Sequence, residues 1–465
     1  MSVDAVIVMA AGLGTRMKSA KPKVLHEIAG RSMIAHAVIA ASAVSPERLV
    51  VVLGHGREQV QAHLEEVAPE VSIAVQEQML GTGDAAKAGL GALEAATGEI
   101  VITSGDVPLL RGETLVQLVQ AHREGGYTAT VLTAQVPDPT GYGRIVRDGD
   151  LLAKIVEEKD ATEAEQLIDE VNGGIYVFAA DALREALEAL QPNNAQGEYY
   201  LTDAIAYIAA QGGRVGGAVL RDYLQLEGVN DRVQLAARAA ELNRRICTKW
   251  MLAGVTILDP RSTWIDADVS LAADVTLLPD TFLQGATSVA TGAVIGPETT
   301  LKDVEVGEGA QITRSTATLA IIEAGASVGP YSYLRPGTQV GADGKVGAFV
   351  EAKNARIGKG AKVPHLTYCG DAEIGAGANI GAGTIFANWD GSTKATTSVG
   401  EHAFIGSNSV LVAPVNIGAG AFVAAGSAVT EDVEAGALAV ARGRQHISPD
   451  WVREHAPGWF ARSIK

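Results

Sequence analysis

The chain has 465 residues, 47% hydrophobic and 20% charged, with 53 glycines but only 5% aromatics. Such a length exceeds one ordinary core and suggests two or three domains, and the composition is not that of a disordered chain. The formal net charge of −17 argues against a nucleic-acid surface, which needs a broad basic face, although local Lys and Arg can still receive a small anion.

Asp4 precedes the first apolar run, which is short and opens directly onto a glycine loop. The N-terminus therefore reads as a first strand and not as a signal peptide. No stretch approaches the roughly 18 to 20 apolar residues of a membrane span. These features predict a cytoplasmic protein that engages neither membrane nor nucleic acid. Cys247 and Cys369 match no metal-binding spacing and read as free thiols of a reducing compartment.

Across residues 1–230 short β-branched runs alternate with stretches of helical spacing. Strands are predicted at 5–10, 49–54, 72–76, 99–106 and 128–134, and helices at 33–43, 57–67, 83–96 and 113–124. Continuous apolar strands in a βαβα order predict a parallel sheet covered on both faces.

The first strand runs into AAGLGTRM (10–17), followed by KPKVLHEIAG (21–30). A glycine-rich turn lets backbone N–H groups approach phosphates. Gly12 and Gly14 supply G-x-G, but Met17 breaks the dinucleotide fingerprint and the P-loop pattern also fails, so an ordinary βα turn stays open. Arg16 and Lys23 lie within reach of this turn, and either could neutralise a polyphosphate leaving group. EQMLGTGDA (77–85) is a second small-residue loop after a strand. In SGDVPLL (104–110) Asp106 ends an apolar strand, at the ligand-binding edge of such a sheet. There it could ligate Mg²⁺ as a hard oxygen or simply cap a helix.

Residues 231–252 contain neither Gly nor Pro and read as one linker helix. From about residue 265 aliphatics recur every six positions. The clearest series are Val399, Ile405, Leu411, Ile417, Val423 and Val429, and Ile322, Val328, Leu334, Val340 and Val346. Period six fits neither a helix nor a flat strand. It fits a three-sided prism with one inward aliphatic per side and small residues at the corners, whose coils must stack to bury their interiors. Residues 347–373 and 385–398 read as breaks in this repeat, the second as a polar loop ejected from the coils. The first holds Lys353, His365 and Tyr368, and Arg335 lies just before it in YLRPG. Arg and Lys suit a sugar phosphate, and an imidazole can take a proton near neutral pH.

The spaced set G-x-G-T-R-M, P-K-x-L, G-T-x-x-A and G-D-x-P resembles the sugar-nucleotide pyrophosphorylases. With H-L-T-Y-x-G-D-A-E-I-G, N-I-G-A-G-T and N-W-D-G, nearly the whole chain resembles the bacterial family of bifunctional N-acetylglucosamine-1-phosphate uridyltransferase/glucosamine-1-phosphate acetyltransferases. The resemblance implies a Rossmann-like α/β uridyltransferase domain (1–230), the linker helix, and a left-handed parallel β-helix acetyltransferase domain (253–465) that trimerises. It implies a uridine-type base near Ala10, Ala11, Gly12, Gln76, Gly81 and Thr82, and UTP phosphates near Arg16 and Lys23. Sugar contacts fall at Gly143, Glu157 and Asn172, and Mg²⁺ between Asp106 and Asn230. Ser104 and Gly105 join the substrate-binding set, Ser104 weakly. In the second half His365 would be the general base, with Arg335 and Lys353 on the sugar phosphate and Glu351, Tyr368 and Asn379 orienting the sugar. Ala382, Asn388, Trp389, Ser407, Ala425 and Arg442 would line the acetyl-CoA site. Two residues depart from the family pattern: Trp389 stands where Tyr is usual, and Asn354 where a second Lys is common. A single-activity nucleotidyltransferase with a regulatory β-helix is the rival reading, against which the cluster Arg335, Lys353, His365 and Tyr368 argues.

Overall fold

All residues of strand β1 (Ala5–Ala10) except Met9 are buried, because the strand is covered on both faces. Val6 and Val8 enter one hydrophobic layer, while Ala5 and Ile7 enter the other. This two-sided burial produces the unbroken apolar run in the sequence. The computed structural model describes residues 3–93 and 96–463. The chain divides into two units, Met1–Ile246 and Cys247–Lys465.

In the first unit the main elements after β1 are α1 (Met33–Ser42), β2 (Arg48–Leu53), α2 (Arg57–Val67), β3 (Ser72–Val75), α3 (Thr82–Gly91), β4 (Glu99–Ser104), α4 (Gly112–Gly125) and β5 (Ala129–Gln135). Then come β6 (Arg144–Asp148), β7 (Leu151–Val156), β8 (Glu170–Ala179), α5 (Ala180–Ala189), α6 (Thr202–Ala210) and β9 (Val215–Val219). Residues 94 and 95 of the helix expected over 83–96 lie outside the described residues. The sheet order is β9-β5-β8-β4-β1-β2-β3, with the β6–β7 hairpin attached through β6 to β8.

The sheet is mixed and not wholly parallel as the alternation predicted. β1 pairs parallel with β2 and β4, but β8 runs antiparallel between β4 and β5. The chain returns from β5 through the β6–β7 hairpin, without the crossover helix that a parallel return requires. Helices α1 and α4 cover one face, and α3, α5 and α6 the other. Helix α3 sits close to the sheet because Gly89 has no side chain: a Cβ there would lie 2.6 Å from Ile7 Cγ2.

Helix α7 (Arg232–Leu252) spans the division between the units. Its first half packs Leu235, Ala239 and Leu242 against Met17, Ile28, Met33 and Val229.

The second unit is a parallel β-helix with three faces. Along one face Gln311, Ser327, Lys345, Lys362, Asn379, Phe404, Phe422 and Leu438 stack in register on successive coils. Every member of the two clearest hexad series is buried, each such side chain contributing roughly 1.5–3 kcal/mol of burial. Inner corners carry hydroxyls that sequence periodicity did not reveal. Thr281, Thr287, Thr338, Thr384, Ser409 and Ser427 each donate to the carbonyl three residues back, at 2.6–2.7 Å. These bonds satisfy polar groups that would otherwise be buried unpaired.

Of the two expected breaks, the first is absent and the second is narrower than predicted. The interval 347–373 stays within the coils, with Ala352, Ala355, Cys369 and Ala372 filling the inner positions. Small residues there hid the hexad without interrupting it. Within 385–398, Ile385–Ala387 and Thr397–Val399 are coil strands, with Phe386 and Thr397 fully buried. Only the residues between them leave the coil, closed by a Trp389–Lys394 bridge. Both cysteines are buried thiols; burial pushes the Cys369 thiol up to about 12 and Cys247 up to about 11. Among the described residues no helix is long and apolar enough to cross a membrane.

Candidate functional site

The C-terminal edge of β1 and β4 opens onto a cavity of about 360 Å³. Ala10, Ala11, Gly12, Lys23, Gln76, Gly81, Thr82, Ser104 and Asp106 line it, so nine residues singled out in the sequence converge here. Ala10 and Ala11 are small and buried and Gly12 is exposed, so no bulky side chain keeps a ligand from the backbone here. Gly81 has φ +112°, and a Cβ on it would lie 2.6 Å from the Tyr199 carbonyl, so the loop requires glycine. Gly105 lies behind the wall, its N–H donating to the Met9 carbonyl at 2.9 Å. Arg16 is exposed on the turn Thr15–Met17 and does not line the cavity. Glu198, which no sequence signal marked, does.

Lys23 Nζ pairs with Asp106 Oδ2 at 2.5 Å and donates to Asn230 Oδ1 at 3.4 Å. Ser104 Oγ donates to the other Asp106 oxygen at 2.7 Å. Two oxygen donors from distant loops thus converge on one cationic position. This is the donor type that Mg²⁺ takes, usually one or two protein oxygens with substrate phosphates completing the shell. No group of three or more His, Cys, Asp or Glu suited to a metal occurs among the described residues.

Gly143, Glu157 and Asn172 form a second group. A Cβ on Gly143 would lie 3.5 Å from both Glu157 Oε2 and Asn172 Cβ. Asn172 Nδ2 donates to Tyr176 Oη at 2.7 Å, and Thr202 Oγ1 donates to Glu157 Oε1 at 3.0 Å. Burial raises the Glu157 carboxyl above its ordinary range, against the Thr202 bond. The two groups are joined through the start of α6: Leu201 N–H donates to Thr82 Oγ1 at 3.0 Å, next to Thr202.

In the β-helix unit the register aligns residues that the sequence scatters. Lys362, Asn379, Phe404 and Phe422 are partners on successive coils. Three residues further on, His365, Ala382, Ser407 and Ala425 therefore share one corner. Gly383 N–H donates to the His365 carbonyl at 3.1 Å, and Gly426 N–H to the Ser407 carbonyl at 2.8 Å. Arg442 continues the column beside Gly426. The His365 ring is exposed and has no hydrogen-bond partner among the described residues.

The adjoining face carries the charged residues. Glu351 and Tyr368 are register partners, and Arg335 Nη1 pairs with Glu351 Oε1 at 2.8 Å. Tyr368 Oη and Asn388 Nδ2 both lie over Gly370, whose added Cβ would be 2.4 and 2.8 Å from them. Asn379 lies on the face before the corner and is not brought into this group by register. Trp389 is 63% exposed at the start of the loop.

Two residues that sequence reasoning passed over belong here. Asp371 accepts from Asn354 Nδ2 at 2.8 Å and Asn388 Nδ2 at 2.5 Å. Burial pushes its carboxyl up, but those amides, with Lys394 and Lys353, outweigh burial and hold it below its ordinary value. Asn354, the departure from the family pattern, thus has a definite partner. The loop carries Lys394 back to Lys353, and the Lys394 ammonium, with Arg335, lowers the Lys353 pKa. The cations Arg335, Lys353 and Lys394 outnumber the carboxylates beside them, Glu351 and Asp371, and the excess positive charge suits an anion. The signal for Lys394 was the Asp390 turn, where Asp390 accepts from the Ser392 and Thr393 amides at 2.8 and 2.7 Å and reverses the chain.

Comparison with known proteins matches residues 6–207 to the MobA-like NTP transferase domain and residues 396–431 to the hexapeptide repeat of succinyl-transferase. Over 98% of its length the chain is 53% identical to the bifunctional protein GlmU of Kineococcus radiotolerans, covering 93% of that protein. It is 51% identical to that of Streptomyces coelicolor and 53% identical to that of Rhodococcus opacus, again over 98% of this chain, covering 95% and 93% of theirs.

Proposed function

The chain belongs to the family of the bifunctional protein GlmU, and from that membership we propose how its two units divide two reactions. It is a bifunctional transferase: acetyl transfer from acetyl-CoA to glucosamine-1-phosphate, then uridylyl transfer from UTP to N-acetylglucosamine-1-phosphate with release of pyrophosphate. We assign residues 1–230 to the uridyltransferase, 231–252 to the linker and 253–465 to the acetyltransferase.

For acetyl transfer the observation that carries the reading is the corner column His365, Ala382, Ser407, Ala425, beside the cations Arg335, Lys353 and Lys394. The small residues make a track for the extended arm of acetyl-CoA, and Arg442 at its far end meets its phosphates. The cations hold the sugar phosphate, and Glu351, Tyr368 and Asn379 orient the ring. Asn388 and Trp389 flank the thioester. An ammonium has no lone pair, so His365 takes the proton as the amine attacks. The C–N bond forms, the C–S bond breaks, and the CoA sulfur leaves as the thiol with the proton that His365 returns.

For uridylyl transfer the cavity holds the nucleotide, with the base over Ala10, Ala11, Gly12, Gln76, Gly81 and Thr82. Gly143, Glu157 and Asn172 receive the sugar. A phosphate oxygen of the sugar phosphate attacks the α-phosphorus, and the bond to the β-phosphate oxygen breaks. Such in-line transfer needs positioning and positive charge on the phosphates. Lys23 supplies charge in place, and Arg16 swings in from the exposed turn. Asp106 and Asn230 would hold Mg²⁺, which when bound neutralises phosphate charge.

We further assign a left hand to the β-helix, a cytoplasmic location and a homotrimer in which acetyl-transfer sites form between neighbouring subunits. The exposed apolar ladder Phe404, Phe422, Leu438, with its two rings stacked at 4.6 Å, supports a covered face beside the column. Variants that silence one transfer and spare the other test the division of labour.

A further inference from the structure

Gln76 is buried at the end of β3 and lines the nucleotide cavity. Its Nε2 donates twice, to the Gly81 carbonyl at 3.1 Å and to Asp84 Oδ2 at 2.8 Å. A carbonyl and a carboxylate both only accept, so the amide has one orientation that satisfies them. Turning it over would set Oε1 against two acceptors. The Gln76 Oε1 is thereby aimed the other way and accepts nothing from the described residues. Asp84 is half-buried in the first turn of α3 and does not itself line the cavity.

We infer that Asp84 is a positioning residue for base selection: it locks the Gln76 amide so that the cavity presents a fixed acceptor and rejects a base that presents an acceptor in return. The inference rests on the assignment of this cavity to UTP. Uracil offers N3–H to such an acceptor. Cytosine carries a bare lone pair at N3, and a free glutamine could meet it by flipping its amide. The lock forbids that flip, so selectivity comes as much from refusing cytosine as from accepting uracil.

An acid in the first turn also favours a helix N-terminus, so the test must separate selectivity from stability. The full-length chain is assayed for pyrophosphate release with N-acetylglucosamine-1-phosphate, Mg²⁺ and either UTP or CTP. Asp84→Ala is expected to lower the UTP-to-CTP ratio of kcat/KM about fivefold, the scale of one hydrogen bond, through KM and not kcat. The ratio falls without vanishing because the Gly81 carbonyl remains. Asp84→Asn, which can still turn an oxygen toward Gln76 Nε2, is expected to stay within about twofold of the parent. A parent that prefers UTP and an Asp84→Ala variant that loses both nucleotides in parallel, at an unchanged ratio, overturns the role of Asp84 alone. A parent that uses CTP as readily as UTP overturns the nucleotide assignment and the inference with it.

Discussion

Lys23 and Asp106, 83 residues apart in sequence, meet as an ion pair at 2.5 Å inside the N-terminal cavity. The lysine occupies the position on which Asp106 and Asn230 converge, so carboxylate, amide and ammonium form one polar centre. Asp106→Asn keeps the shape and removes the charge. Uridylyl transfer is expected to fall by about 100-fold or more, the scale of a lost charge-stabilising group, with acetyl transfer unchanged. Pyrophosphate release and CoA release measured on the same preparation check this, and loss of both together would indicate misfolding instead.

His365 heads the corner column with a ring that no described side chain restrains. His365→Ala is expected to reduce acetyl transfer by about 10²–10⁴-fold, the usual contribution of a general base. Uridylyl transfer should stay at the parent rate. Equal acetyl-transfer rates for variant and parent would remove His365 from the reaction.

Lys394 depresses the Lys353 pKa because two ammonium groups share one site. Below its folded pKa Lys353 is charged and repelled, so the pair disfavours the empty site there, and the penalty fades as pH rises through that value. A bound phosphate reverses the balance. Lys394→Ala is expected to raise KM for glucosamine-1-phosphate about tenfold, as for one lost charge-assisted bond, with kcat little changed. In the parent, binding at alkaline pH should take up protons, seen by calorimetry in buffers of different ionisation enthalpy. The variant should take up fewer.

Glu157 carries a carboxyl raised by burial. Its ionised form is therefore a cost to the folded state above its unfolded pKa, growing until pH passes the folded pKa. Glu157→Gln keeps a partner for Thr202 without the buried charge. The variant is expected to melt higher than the parent at pH 7.5 and to lose that advantage as pH is lowered through the carboxyl's titration. Its KM for N-acetylglucosamine-1-phosphate should rise. A melting difference independent of pH would exclude ionisation as the cause.

Much of this was legible in the sequence, for identifiable reasons. The two-sided burial of β1 writes an unbroken apolar run into the chain, and the inward aliphatics of the hexads write a period of six. Strand β8 did not announce itself, because its N-G-G centre breaks the apolar pattern and its direction depends on the preceding hairpin. The interval 347–373 looked broken because Ala352, Ala355, Cys369 and Ala372 keep the coil while dropping the aliphatic signal. Ala10, Ala11 and Gly12, and likewise Gly81 and Thr82, stood out in the sequence because each group sits in one small-residue loop after a strand. Asp371, Lys394 and Asp84 were missed because they act on other side chains, through register and chain reversal that no linear spacing displays.

The most direct test gives the purified full-length chain glucosamine-1-phosphate, UTP and Mg²⁺, with and without acetyl-CoA, and follows CoA thiol and pyrophosphate together. Two sequential transfers in one chain predict CoA release first, pyrophosphate after it, and little pyrophosphate without acetyl-CoA. Pyrophosphate release that ignores acetyl-CoA, or CoA release that never occurs, would contradict the account.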